Sequence, residues 1–119
     1  MSTVASILVA LIGLLHVYIL VMEMFLWTRP RTRAAFGLTP ELAEATKVMA
    51  GNQGLYNGFL AAGLFWGLLA GDPTGREVRI FFLLCVAVAG VYGSLTASRR
   101  ILFIQTVPAV IALATVLAS

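Results

Sequence analysis

The sequence predicts an all-α polytopic membrane protein built as a bundle of four transmembrane helices, and three observations carry that expectation. The first is composition: 61% of the 119 residues are hydrophobic and only 11% are charged, against roughly 25% charged residues in a soluble domain. The second is size, because a soluble body this small has too little interior to hide so much apolar side chain. The third is pattern. The apolar residues fall in four stretches, each close to the roughly 20 residues with which a helix crosses hydrocarbon and too long for barrel strands. A single membrane domain over 1–119 follows, with helices over about 4–27, 48–71, 79–98 and 101–118.

The first stretch, Val4 to Trp27, holds one histidine, His16, and one acid, Glu23. No basic region precedes it, and it is longer than the apolar core of a signal peptide. The following Thr28, Arg29, Pro30, Arg31, Thr32 and Arg33 read as a stop, so the segment is expected to stay in the mature protein. Thr39 before Pro40 has the chemistry of an N-cap followed by proline at the first helical position. The second helix is therefore predicted to start near Pro40. Its extension over 40–47 would lie at the interface with Glu41, Glu44 and Lys47, and with Phe36 and Leu38 nearby. From Val48 to Gly71 there is no charge. Asp72-Pro73-Thr74-Gly75 reads as a turn, and Thr74 with Glu77 has the spacing of a capping box for the third helix. Arg99 and Arg100 separate the third stretch from the fourth and predict a tight hairpin. Pro108 lacks a backbone donor and should bend the fourth helix.

Basic residues set the expected orientation. Arg29, Arg31, Arg33, Lys47, Arg99 and Arg100 lie on one side, whereas only Arg76 and Arg79 lie on the other. The positive-inside rule puts the six in the cytoplasm and both termini outside it, in the periplasm if the host is a Gram-negative bacterium. The net charge of +3 suits anionic lipid headgroups better than nucleic acid, which needs a clustered basic face. Trp27 and Trp66 are expected as interfacial anchors. Gly54 with Gly58, and Gly63 with Gly67, place small residues at four-residue spacing in the second helix, which should pack closely on both flanks. Such faces also invite a neighbouring copy, and a homo-oligomer is expected.

The polar residues inside the apolar stretches carry the functional information. Glu23, Asn52, Gln53, Tyr56, Tyr92 and Gln105 fall at similar depth in the cytoplasmic half, with His16 and Asn57 nearer the middle. His16 and Glu23 share one face of the first helix. Asn52 and Asn57 differ by about 140° around the second, which points them at different contacts. A carboxylate at this depth is costly without partners, so Glu23 is expected within hydrogen-bond reach, directly or through one water, of Asn52, Gln53 or Tyr56. These eight residues are the candidate ligand-binding set. No catalytic residue is assigned. One histidine and a single cysteine, Cys85, do not make a closed zinc site. Cys85 reads as a small buried apolar residue. No nucleotide loop or nucleophile elbow is present, and no cofactor is expected.

Two runs then carry a resemblance: His16-Val17-Tyr18-Ile19-Leu20-Val21-Met22-Glu23-Met24-Phe25-Leu26-Trp27, and Asn52-Gln53-Gly54-Leu55-Tyr56-Asn57-Gly58-Phe59-Leu60-Ala61-Ala62-Gly63. Over essentially its whole length the chain resembles a family of small bacterial integral membrane proteins described only as a domain of unknown function. The resemblance implies four membrane helices and brings no assigned activity, and it adds weight to His16, Glu23, Trp27, Asn52, Gln53, Tyr56 and Asn57. Three classes of function stay open. One is binding or transport of a small hydrophobic or amphipathic solute. A second is a membrane enzyme acting on a lipid or quinone-like molecule, with Glu23 and His16 in acid-base roles. The third is a structural or accessory subunit.

Overall fold

The computed structural model describes residues 1–119, and it is all-α. The helices are α1 (Thr3–Phe25), α2 (Pro30–Phe36), α3 (Pro40–Leu69), α4 (Thr74–Thr96) and α5 (Val107–Leu117), with a π-helical turn over Leu102–Thr106 leading into α5. Of these, α1 and α4 are long and apolar enough to cross a membrane. Helix α3 is longer, at 30 residues, but its glycines, its amides and the charges of its first turns dilute its apolarity. The apolar segment Leu102–Leu117 is shorter than α1 or α4.

Local chemistry explains the boundaries. The Thr39 hydroxyl accepts from the Leu42 amide at 3.1 Å, which caps α3 as the Thr-Pro pair predicts. The segment 40–47 is continuous with the rest of α3. Helix α2 was not foreseen. Its signals are Pro30 in the first turn and Gly37 after the last, the asymmetry with which helices start and stop. Gly37 adopts φ 67°, a conformation open to glycine, and its amide returns to the Arg33 carbonyl. Helix α4 starts at Thr74, five residues before the expected 79, and the anticipated capping box is absent. Pro73 is the N-cap, no side chain caps the helix, and the Glu77 amide bonds the Pro73 carbonyl.

The chain forms two compact units, Met1–Leu14 with Leu60–Ser119, and Leu15–Phe59. In the first, Ala5, Val9, Ile12, Leu64, Leu83, Val86, Ala109, Ala112 and Val116 form the core. Glycines let its helices close up. A Cβ on Gly63 would enter the Phe82 ring, and one on Gly67 would stand 2.6 Å from Arg79 Cγ and 3.0 Å from the Arg79 backbone nitrogen. Gly90 accepts the Thr106 backbone in the same way, and the Thr106 hydroxyl donates to the Ala87 carbonyl at 3.1 Å. This is the hairpin expected at Arg99-Arg100, closed by α4 against the π-turn and α5. The π-turn ends just before Pro108. Proline brings no N–H and crowds the carbonyl four residues back, and a wider turn relieves that crowding. Ser2 and Ser119 meet with their hydroxyls 3.2 Å apart, so the beginning of α1 and the end of α5 stand at the same end of this unit.

Arg79, read from sequence as a loop cation, is 2% exposed. Its Nη1 donates to the Gly67 carbonyl at 2.5 Å and its Nη2 to Asp72 Oδ1 at 3.0 Å. It ties the last turn of α3 to the first turns of α4. Cys85 is partly exposed, not buried as expected.

Candidate functional site

The second unit holds most of the polar set. Within it α1 and α3 approach closely because Gly54 and Gly58 have no side chains. A Cβ on Gly54 would lie 2.5 Å from Met24 Cγ, 3.1 Å from Glu23 Cβ and 3.2 Å from the Leu20 carbonyl oxygen, and one on Gly58 would meet Leu20. Asn57 is three residues beyond Gly54 and therefore on the same side of the helix. Its Nδ2 donates to Glu23 Oε1 at 2.6 Å and to the Gln53 carbonyl at 3.1 Å. The direct partner of Glu23 is thus Asn57, whereas depth alone points to Asn52, Gln53 or Tyr56. Depth along the helix grouped Asn52, Gln53 and Tyr56 with Glu23 and set Asn57 deeper, nearer the middle. Rotation about the helix selected Asn57, because Gly54 fixes which side of α3 meets α1.

The remaining candidates divide. Asn52, Gln53 and Tyr56 are exposed, with the Tyr56 ring 6.0 Å from that of Phe59. His16 is fully buried. Glu23 and Asn57 are half-buried. Tyr92 and Gln105 belong to the other unit. Tyr92 is 70% exposed and lines an open apolar groove of about 440 Å³ with Val88, Val91, Leu95, Thr106 and Val110. Gln105 is half-buried on the π-turn, against Gly90.

At the end of α1, the Trp27 indole donates to the Thr46 hydroxyl at 3.0 Å, and its ring lies 4.9 Å from Phe36 at 56°. The Thr46 hydroxyl in turn donates to the Leu42 carbonyl at 2.7 Å. These contacts join the end of α1, α2 and the first turns of α3, and Arg33 Nε adds a bond to the Thr28 carbonyl at 3.1 Å. Sequence reasoning named Trp27 and Phe36 as interfacial residues but missed Thr46, which carries no signal by itself. Arg79 was missed as a structural cation for the same reason: its role depends on where the α3 carbonyls end.

Chemically, the Glu23–Asn57 pair offers a carboxyl group oriented by an amide donor. No three His, Cys, Asp or Glu side chains converge as a metal-ligand group.

The comparisons with known proteins agree with the size and span of the chain. The family described as "Protein of unknown function (DUF1304)" matches residues 10–117. The uncharacterized protein YpaA of Lactococcus lactis subsp. lactis (strain IL1403) is 31% identical over 115 residues, which cover 95% of this chain and 96% of that protein. No solved structure matches. A match over nearly the full length, together with a relative of almost the same extent, means that the chain belongs to the DUF1304 family.

Proposed function

We propose that this chain is a four-span protein of the bacterial inner membrane that binds, and passes across the bilayer, a small hydrophobic or amphipathic solute. In this reading the polar head of the solute is held beside Glu23 and Asn57, with proton exchange at Glu23. The observation that carries it is the Glu23–Asn57 hydrogen bond, made between α1 and α3 where Gly54 lets them approach. Ionisable groups at membrane depth are rare and usually mark a pathway or a ligand site.

Several features support the membrane setting. Large apolar side chains are exposed along every long helix, among them Ile7, Leu11 and Leu14 on α1, Phe59 and Leu69 on α3, and Val88 and Leu95 on α4. That is far more apolar surface than water-soluble monomers usually present. The meeting of Ser2 and Ser119 fits an even number of crossings, and the basic residues favour both ends outside the cytoplasm. His16, buried on the same face of α1 two turns before Glu23, is placed to pass a proton along the helix. Gln53 extends the amide set beside Asn57.

The test is a ligand screen by thermal shift and native mass spectrometry on the parent protein, on Glu23→Gln and on Asn57→Leu. The parent should retain a membrane-derived or added amphipathic molecule. Glu23→Gln should stay folded, lose at least tenfold in affinity and lose the pH dependence of binding. Proton-driven flux in proteoliposomes then marks transport, and product formed from the bound molecule marks catalysis. A Glu23→Gln protein that keeps every ligand with unchanged pH dependence would refute the proposal.

A further inference from the structure

We infer that the groove between α4 and the returning chain of the π-turn and α5 holds an acyl chain of an anionic glycerophospholipid, whose phosphate is bound by Arg99 and Arg100 at the hairpin. The inference needs the membrane setting proposed above but not the solute site, since Glu23 belongs to the other unit. Val88, Val91, Tyr92 and Leu95 of α4 form one wall of the groove, and Thr106 and Val110 form the other. Its volume of about 440 Å³ falls among ligand clefts, which run to roughly 300–1,000 Å³. From Val88 to Leu95 it follows α4 for about 10 Å. The two walls close on each other where Gly93 meets Ile101 and Gly90 meets Thr106. Beside that line, the larger side chains of α4 stand outward and leave a trough. Thr106 adds no free donor to it, because its hydroxyl donates to the Ala87 carbonyl at 3.1 Å.

Charge identifies the occupant. Leu95 ends the groove four residues before Arg99. The hairpin is tight: the Ala97 and Ser98 amides both bond the Gly93 carbonyl, and the Leu102 amide bonds the Arg99 carbonyl. Both arginines are thereby kept at the mouth of the groove. They are exposed, and neither meets an acid; the ion pairs of the chain are Lys47–Glu44 and Arg79–Asp72. The acids of this unit, Asp72 and Glu77, stand at the opposite end of α4. Guanidinium groups take phosphate through a planar fork of donors, and basic pockets between membrane helices on the cytoplasmic side suit acidic headgroups. A zwitterionic lipid would fill the trough but bring a cationic group to the arginines. A second copy seated here about an axis along the membrane normal would bring its own Arg99 and Arg100 to the same level, and four cations without an acid repel. An anionic phospholipid satisfies both the trough and its mouth.

The experiment is native mass spectrometry from gentle detergent, with phosphatidylglycerol or phosphatidylcholine of identical chains added. The parent should retain phosphatidylglycerol with at least a fivefold preference. Arg99→Gln with Arg100→Gln should erase the preference and leave weak binding of both lipids. Val88→Trp, at an exposed position that fills the trough, should cut retention of both lipids at least fivefold with helix content unchanged. Millimolar inorganic phosphate should not displace the lipid. No preference in the parent, or a preference that survives the double glutamine variant, overturns the proposal. So does full retention in Val88→Trp. Displacement by phosphate would show a free anion held at the arginines with no chain in the groove, and overturns it too. A dimer that Val88→Trp dissociates, with no lipid held by the parent, gives the groove to a second copy. Glu23→Gln should leave the lipid in place; its loss there would assign the lipid to the Glu23 site and end the groove reading, whereas a solute lost in Glu23→Gln beside a retained lipid keeps the two sites separate.

Discussion

Replacing Arg79 with alanine should lower the stability of the detergent-solubilised protein by about 2–4 kcal/mol, from the void left in a packed turn and the loss of a buried acceptor's partner. Arg79 is almost wholly enclosed, with Gly67 and Gly75 packed close against it. Its bond to the Gly67 carbonyl satisfies one of the acceptors that the end of α3 leaves over. Arg79→Met, which keeps most of the volume, should cost less, and the difference between the two variants reads the packing part. Asp72→Asn should be milder still, since that carboxylate is half exposed. The pair also sets an acid response. The hydrogen bond from Arg79, with its charge, holds the Asp72 carboxyl below its ordinary value. A depressed carboxyl adds stability above its unfolded pKa and loses it as pH falls through the folded value. The parent should therefore weaken below about pH 4 by an increment that Asp72→Asn lacks. Thermal or denaturant unfolding followed by circular dichroism measures all four proteins, and equal midpoints for Arg79→Ala and the parent would remove the clamp from the fold.

Gly54→Val should separate α1 from α3 and abolish solute binding along with about 1–3 kcal/mol of stability. The added atoms meet Met24, Glu23 Cβ and the Leu20 carbonyl oxygen. Met24 has a flexible side chain, but the carbonyl belongs to a helix backbone and moves only with α1. Any such movement lengthens the Glu23–Asn57 bond, so binding should fall further than stability alone would carry it. Gly51→Ala is the matched control. Nothing lies within 4 Å of a Cβ there, and alanine in a helix interior is favoured over glycine by roughly 0.5–1 kcal/mol. Gly51→Ala should be neutral or slightly stabilising when unfolding is compared at high dilution in the same detergent. Equal effects of the two substitutions would mean that close approach at Gly54 does not govern the site.

Much of this molecule is legible in its chain. Apolar stretches, the Thr39-Pro40 cap, the Arg99-Arg100 hairpin and the glycine spacing depend on local preferences and on depth along a helix, which sequence position reports directly. Position alone also put Glu23 and Asn57 in the candidate set. It favoured Asn52, Gln53 and Tyr56 over the deeper Asn57 as partners of Glu23, because depth says nothing of the rotation of α3 against α1, and Gly54 sets that only once the two helices touch. It read Thr74 and Glu77 as a capping box because the spacing matched, whereas the cap falls on Pro73. It counted Arg79 among the loop charges, since nothing in a chain of letters tells a solvated arginine from one folded under a helix end. Composition and periodicity thus determined the helical class and the expensive polar residues. The tertiary structure decided which of those residues meet, because hydrogen bonds need atoms within about 3 Å and only packing brings residues 34 apart in the chain to that distance.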